Sequence, residues 1–257
     1  MKQSVFITGA TNGTGYAIAC RFAQEGYTVF IGSRSAENAE EAAKKLSETY
    51  HIPAYGYGMK VYDEQDVIRI FNDIKAKGYL LDVLVCNAAN LGIKQNIFNV
   101  SIEEFMEVYH TNIGWNFMLA RQAALQMKEK EKGSIVFITS NTAYRAIPDR
   151  IAYSSSKSGI LGMARAMAID LGIYHIRVNC VLPGMIKTER WVNNYNDCQN
   201  AMSNFTPLGD IAEFEDIANA VWYFGSNQSR NTTGAELVVD GGNTVQLYPV
   251  NIPPSEK

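Results

Sequence analysis

The chain of 257 residues contains no apolar run near the about 20 residues that a membrane-spanning helix needs. Met1-Lys2-Gln3 leads straight into an apolar strand without the architecture of a signal peptide. The expectation is a soluble, unexported, cytoplasmic protein with no membrane partner. Histidine is scarce: His51, His110 and His175 stand apart, with no cysteine or carboxylate at ligand spacing, so no metal site is expected. Cys20, Cys86, Cys180 and Cys198 are too widely spaced for a CxxC site, and reduced thiols follow. A strong excess of charge of one sign is missing as well. The net charge is −3 and Lys and Arg are scattered, which leaves no basic stripe for a nucleic-acid backbone. No linker rich in Pro, Gly or Ser divides the chain and no repeat is visible, so residues 1–246 are read as one domain and residues 247–257 as a C-terminal arm.

What is present is an alternation of strand-like and helix-like stretches, with 47% hydrophobic residues to fill a core. Ser4-Val-Phe-Ile-Thr8 is a β-rich run. The loop Gly9-Ala-Thr11-Asn12-Gly13-Thr14-Gly15 follows, and then Ile18, Phe22 and Ala23 fall at helical spacing. In a strand–loop–helix unit, such glycines give a tight turn, clear space for a pyrophosphate and let helix pack on sheet, while the helix N-terminus offers unpaired amides to the anion. A second strand over residues 27–31 ends at Gly32-Ser33-Arg34, where dinucleotide folds distinguish a ribose hydroxyl from a 2′-phosphate. The planar donor fork of Arg34 suits the phosphate and favours NADP(H). The alternative is a solvated Arg34 with Glu37 reaching the ribose, which would give NAD(H).

Further along, helices are expected over residues 37–49, 64–77, 103–130, 153–171 and 213–224, and strands over 54–61, 82–86, 133–139, 177–182 and 235–240. With strands at 4–8 and 27–31 this makes a parallel, doubly wound, three-layer α/β sheet of seven strands. In such a sheet ligands lie at the carboxyl edge where strand order reverses, beside Asn87-Ala88-Ala89-Asn90 and the first glycine loop. Ser140 closes the fifth strand on that edge. If the next helix includes Tyr153-Ser-Ser-Ser-Lys157, the phenol and the ammonium are an i, i+4 pair on one face. A cation held close to a tyrosine favours the phenolate and lowers its pKa, which makes Tyr153 a candidate acid/base.

Taken together, these motifs resemble the short-chain dehydrogenase/reductase family in its single-domain form. The glycine loop looks like its TGxxxGxG signature, Asn87-Ala88 like the centre of its NNAG motif, and Tyr153 to Lys157 like its YxxxK; Asn112, Ser140, Pro183-Gly184 and Thr188 stand in the family's order. The resemblance implies a Rossmann fold, a homotetramer (or a homodimer) built partly through the helices carrying Asn112 and Tyr153, and an NADP(H)-dependent interconversion of a secondary alcohol and a ketone. By the same resemblance Tyr153 is the acid/base, Ser140 bonds the substrate oxygen, Lys157 holds the nicotinamide ribose and acidifies Tyr153, and Asn112 supports a water relay to Lys157. Cofactor contacts would come from Gly9, Thr11, Asn12, Gly13, Thr14, Gly15, Ser33, Arg34, Val61, Asn87, Ala88, Tyr153, Lys157, Pro183, Gly184, Ile186 and Thr188. The chain departs from the pattern at Cys86, Ala89 and Lys60, where the family commonly has Asn, Gly and an adenine-capping Asp; Lys60 is read as solvated, with added positive charge near the nucleotide as the alternative.

The substrate is less legible. Residues 185–206 read as a lid, with an ordinary surface loop as the alternative; Met185, Trp191 and Tyr195 beside Ser140 and Tyr153 are read as pocket walls, and a 3-oxoacyl thioester, a hydroxysteroid or a sugar or polyol would fit such a lining. Arg145 and Arg150 are read as solvated, with an acidic substrate as the alternative. Two other classes compete: an idle NADP(H)-binding sensor and a methyltransferase, neither of which has a use for the paired Tyr153 and Lys157.

Overall fold

The computed structural model describes residues 3–188 and 204–248. Strands covered on both faces must be apolar almost throughout, and β1 (Ser4–Thr8), β4 (Val83–Cys86) and β5 (Gly133–Ile138) are buried at every residue. β2 (Thr28–Ser33) and β6 (Ile176–Pro183) are nearly so, while β3 (Ala54–Gly58) and β7 (Glu236–Val239), at the two edges, are partly exposed. All pairings are parallel and the order is β3-β2-β1-β4-β5-β6-β7.

Alternate side chains point to opposite faces of each strand. Val5, Ile7, Val29 and Ile31 therefore meet α1 (Gly13–Gln24), α2 (Ala36–Tyr50) and α7 (Phe214–Gly225) through Ile18, Phe22, Leu46, Ile217 and Val221. Phe6, Phe30, Leu84 and Phe137 meet α3 (Glu64–Ala76), α5 (Asn116–Glu129) and α6 (Ile151–Gly172) through Ile70, Ile74, Leu119 and Ile160. Each such side chain, when fully buried, stabilises the fold by about 1.5–3 kcal/mol. Helix starts are fixed by side chains: Ser35 and Asp63 accept the Asn38 and Asp66 amides, and Ser101 forms a capping box with Glu104 at α4 (Ile102–Tyr109).

Two expectations are corrected. The helix expected over residues 103–130 is three pieces: α4, a π-helical turn at His110–Trp115, and α5. The apolar pattern is the same whichever register the backbone takes, so spacing could not reveal it. β3 ends at Gly58, which places Lys60 and Val61 in the turn that follows, and β2 runs on to Ser33. From β1 the chain builds outward through β2 to β3, then crosses to β4 on the other side of β1. The loops leaving β1 and β4 consequently diverge and open a crevice between them.

Candidate active site

The crevice is held in shape by Thr8 and Asn87. The Thr8 hydroxyl accepts the amides of Asn87 and Ala88, both at 3.1 Å, and the Asn87 side chain donates to the carbonyls of Thr8 and Gly9 at 3.0 Å. Bulk is excluded there. A Cβ on Gly15 would lie 2.2 Å from the Gly9 carbonyl oxygen, and one on Gly9, whose φ is +65°, would lie 3.1 Å from Ala88. Asn12 precedes α1 without a side-chain cap, so the first-turn amides of Gly13, Thr14 and Gly15 have no side-chain acceptor. An open cradle, a bare helix N-terminus and its positive dipole end fit the pyrophosphate of a dinucleotide.

Across the crevice, Ser140 stands two residues beyond β5, in extended backbone, its Oγ accepting the Thr142 amide at 3.2 Å. Tyr153 and Lys157 lie one turn apart on α6, as the i, i+4 spacing implies, with the Lys157 ammonium 5.6 Å from the phenol ring centroid. The half-buried Tyr153 phenol meets the Ser140 hydroxyl. Its pKa is displaced upward, however, and not down. Burial is the larger cause; the Ser140 hydrogen bond and the Arg150 charge oppose it. Lys157 is itself buried, 2% exposed, with Nζ donating to the Ile138 carbonyl at 2.8 Å. Burial lowers its pKa from 10.5 to about 8.

Asn112 lies in the π turn, and its side chain is fully engaged. Oδ1 accepts the Asn90 amide at 2.8 Å, and Nδ2 donates to the Asn90 carbonyl at 2.9 Å and to Ser156 Oγ at 3.0 Å. Ser156 in turn donates to the Tyr153 carbonyl at 2.8 Å. Asn112 thereby ties the end of β4 to the first turns of α6. Single π turns recur at functional sites.

The remaining predicted residues fall around this centre. Ser33 ends β2 and Arg34 and Val61 are exposed beside it. Pro183 ends β6, Gly184 donates to the Val239 carbonyl, and the stretch through Met185, Ile186 and Thr188 pairs with residue 212 by a parallel bridge at Ile186. Trp191, Tyr195 and most of the predicted lid lie outside the described residues, as do residues 249–257. Arg145, though exposed, and the partly buried Arg150 are both tied to main-chain carbonyls. Arg145 donates to the carbonyls of Asn243, Thr244 and Gln246, and Arg150 to those of Leu91 and Gly92. Sequence reasoning missed the Thr8 hydroxyl, Asn90, Ser156 and the Ile138 carbonyl as organisers; only Thr8, inside the glycine signature, carried a local signal. Cys86, which replaces the first Asn of the β4 motif, is buried in the core, and burial pushes its thiol pKa up. Among the described residues there is no helix long and apolar enough to cross a membrane and no cluster of potential metal ligands.

The family model described as enoyl-(acyl carrier protein) reductase matches residues 9–244. The chain is 34% identical to the NADP-dependent (R)-specific alcohol dehydrogenase of Lentilactobacillus kefiri, covering 93% of this chain and 96% of that one. It is 33% identical to the 3-oxoacyl-[acyl-carrier-protein] reductase FabG of Rickettsia bellii, with 93% and 96% covered. The solved structure of ElxO in a tyrosine-to-phenylalanine variant with NADPH bound superposes with a TM-score of 0.88 at 29% identity, covering 96% of this chain and all of that one. Whole-length likeness of this kind leaves one assignment: the chain belongs to the short-chain dehydrogenase/reductase family of oxidoreductases.

Proposed function

We propose that the protein is an NADP(H)-dependent enzyme that interconverts a secondary alcohol and a ketone, with Tyr153 as acid/base. The observation that carries this reading is the meeting of the Ser140 and Tyr153 hydroxyls at the carboxyl edge of the sheet, beside a cradle that a dinucleotide fits. The cofactor, when bound, supplies or accepts the hydride at the carbonyl carbon. Gly9, Thr11, Asn12, Gly13, Thr14 and Gly15 would hold its pyrophosphate, Ser33, Arg34, Val61, Asn87 and Ala88 its adenosine half, and Pro183, Gly184, Ile186 and Thr188, with Tyr153 and Lys157, its nicotinamide half.

In the reductive direction negative charge grows on the carbonyl oxygen, where Ser140 donates a hydrogen bond and Tyr153 releases its proton. A phenol whose pKa lies above its usual value is fully protonated at neutral pH, which is the state a proton donor needs. Lys157, with a pKa near 8, can pass a proton at physiological pH. Asn112 holds the first turns of α6 in place, and its main-chain carbonyl, which accepts from Asn116 Nδ2 at 2.8 Å, keeps a second lone pair for a water leading to Lys157.

Arg34 supports NADP(H) over NAD(H), since its guanidinium is exposed at the end of β2 and has no ion-pair partner among the described residues. The carbonyl compound would lie along the loop after Ser140, with Met185, Trp191 and Tyr195 closing the pocket; 3-oxoacyl thioesters, hydroxysteroids and polyols are the classes to screen. Exposed apolar side chains on α4 and α5, Ile102, Met106, Phe117 and Leu125, support a homotetramer assembled partly through these helices. An idle sensor would have no use for a tyrosine and a buried lysine held in register.

The test is Tyr153→Phe. NADPH affinity is expected to stay within about twofold while turnover of the best ketone in the screen falls by about 10²–10⁴. Near-normal turnover in that variant would remove Tyr153 from its role.

A further inference from the structure

Resting on the reading of the crevice as an NADP(H) site, we propose that Lys60 is a second ligand of the 2′-phosphate and, with Arg34, sets the preference for NADPH over NADH. Two strand ends bring these cations together. Ser33 and Gly58 are register partners in β2 and β3, and the Met59 amide extends the pairing by donating to the Ser33 carbonyl at 2.7 Å. Arg34 is one residue past its strand partner and Lys60 two residues past its own. Neighbouring parallel strands are about 4.8 Å apart, so an anion gripped by Arg34 is within the sweep of the four-carbon lysine arm.

The backbone under Lys60 is held firmly. Met59 is buried, with its sulfur in the space a Cβ on Gly32 would need. The Lys60 amide donates to Asp66 Oδ2 at 2.8 Å. Two residues on, Tyr62 adopts φ +59° and stacks on His110 of the π turn, ring centroids 4.5 Å apart. Only the side chain of Lys60 is left to move.

That side chain also lacks a counter-charge. Every carboxylate in the turn and first turn of α3 is engaged elsewhere: Asp63 accepts the Asp66 amide, Asp66 takes the Lys60 amide and Arg69, and Glu64 pairs with Arg121. Glu37, in the first turn of α2, forms no ion pair with either cation. Arg34 and Lys60 are therefore two exposed cations without a partner among the described residues, on adjacent strand ends at the mouth of the cradle. An ammonium has three donors and no acceptor, so it cannot receive the amino group of an adenine. A phosphate dianion beside Ser33, whose hydroxyl can donate, satisfies both cations together.

The experiment titrates the full chain and its variants Lys60→Ala, Lys60→Glu and Arg34→Ala with NADPH and with NADH, followed by nicotinamide fluorescence at two ionic strengths. Adenosine 2′,5′-bisphosphate and AMP serve as fragment probes by calorimetry. Lys60→Ala is expected to weaken NADPH and the bisphosphate about tenfold, the scale of one charged hydrogen bond, to leave NADH and AMP within twofold, and to flatten the salt dependence of NADPH binding. Lys60→Glu should go further in the same direction. Equal losses for NADPH and NADH, or no loss for either, would overturn the assignment of Lys60. Failure of the wild-type chain to bind either nucleotide would instead overturn the reading of the crevice on which it rests.

Discussion

Lys157 is a cation in the one place where the fold gives it almost no water. The residue is 2% exposed, its amine has the Ile138 carbonyl as bond partner, and its pKa falls from 10.5 to about 8. Below pH 8 the lysine is charged in folded and unfolded chains alike, so the folded state carries the full desolvation cost, about 3 kcal/mol for a shift of this size. Between pH 8 and pH 10.5 the unfolded chain binds more protons than the folded one, and stability rises with pH; above that window the cost is gone. Lys157→Met forfeits the bond to Ile138, worth about 1 kcal/mol, yet is expected to stabilise the nucleotide-free protein by about 2 kcal/mol at pH 7. Thermal melts of both proteins from pH 7 to pH 10.5 check this: the advantage of the variant should shrink steadily, vanish inside that range and give way to a small deficit at the alkaline end, where only the lost bond to Ile138 remains. The spacing of Tyr153 and Lys157 was legible in the sequence. The upward pKa of Tyr153 was not, because sequence displays which charges are near but not how deeply a group is buried.

At the scale of elements, the strand–loop–helix unit at the N-terminus was readable because each of its parts has a local cause. Buried parallel strands are apolar at both faces, and the loop is short of side chains where β1 and β4 approach. That close approach yields a sharp prediction. A methyl at residue 15 would press on the Gly9 carbonyl at 2.2 Å and on Asn87 Nδ2 at 2.7 Å, atoms that shape the cradle. Gly15→Ala should lower NADPH affinity by more than tenfold. In the helical first turn alanine is itself the better residue, so the thermal midpoint should fall by no more than a few degrees. Nucleotide titration and a melt on the same sample separate the two effects; unchanged affinity would mean that the loop yields freely. The π turn around Asn112 was illegible for the opposite reason. Its cause is distant: Asn112 must meet Asn90 from β4 and Ser156 from α6, and no nearest-neighbour pattern in residues 103–130 records that demand.

The whole molecule places its chemistry at the reversal of strand order, which followed from the alternation of elements, but it also joins segments that are far apart in the chain. Asp240, just past β7, accepts from the Gly242 and Thr244 amides, the Thr244 hydroxyl and the Asn141 side chain. Arg145 gathers the Asn243, Thr244 and Gln246 carbonyls, while Asn243 and Gln246 donate to the carbonyls of Phe205 and Asn204. The loop that follows Ser140, the stretch after β7 and residues 204–205 are thus one hydrogen-bonded unit. Contacts about 100 residues apart leave no periodicity to read, which is why Arg145 looked free of protein partners. Arg145→Ala removes the guanidinium at its centre without touching the nucleotide cradle. A hydrogen bond to a charged group contributes about 1.5–3 kcal/mol, with the exposed guanidinium at the low end, and each kcal/mol is worth about 2–4 °C in a chain of this size. The midpoint should therefore drop by about 3 °C. KM for the carbonyl substrate should rise severalfold with NADPH affinity unchanged, and amide exchange should quicken at residues 241–246 and 141–145 together. Faster exchange in one segment alone, or in neither, would show that Arg145 does not couple them.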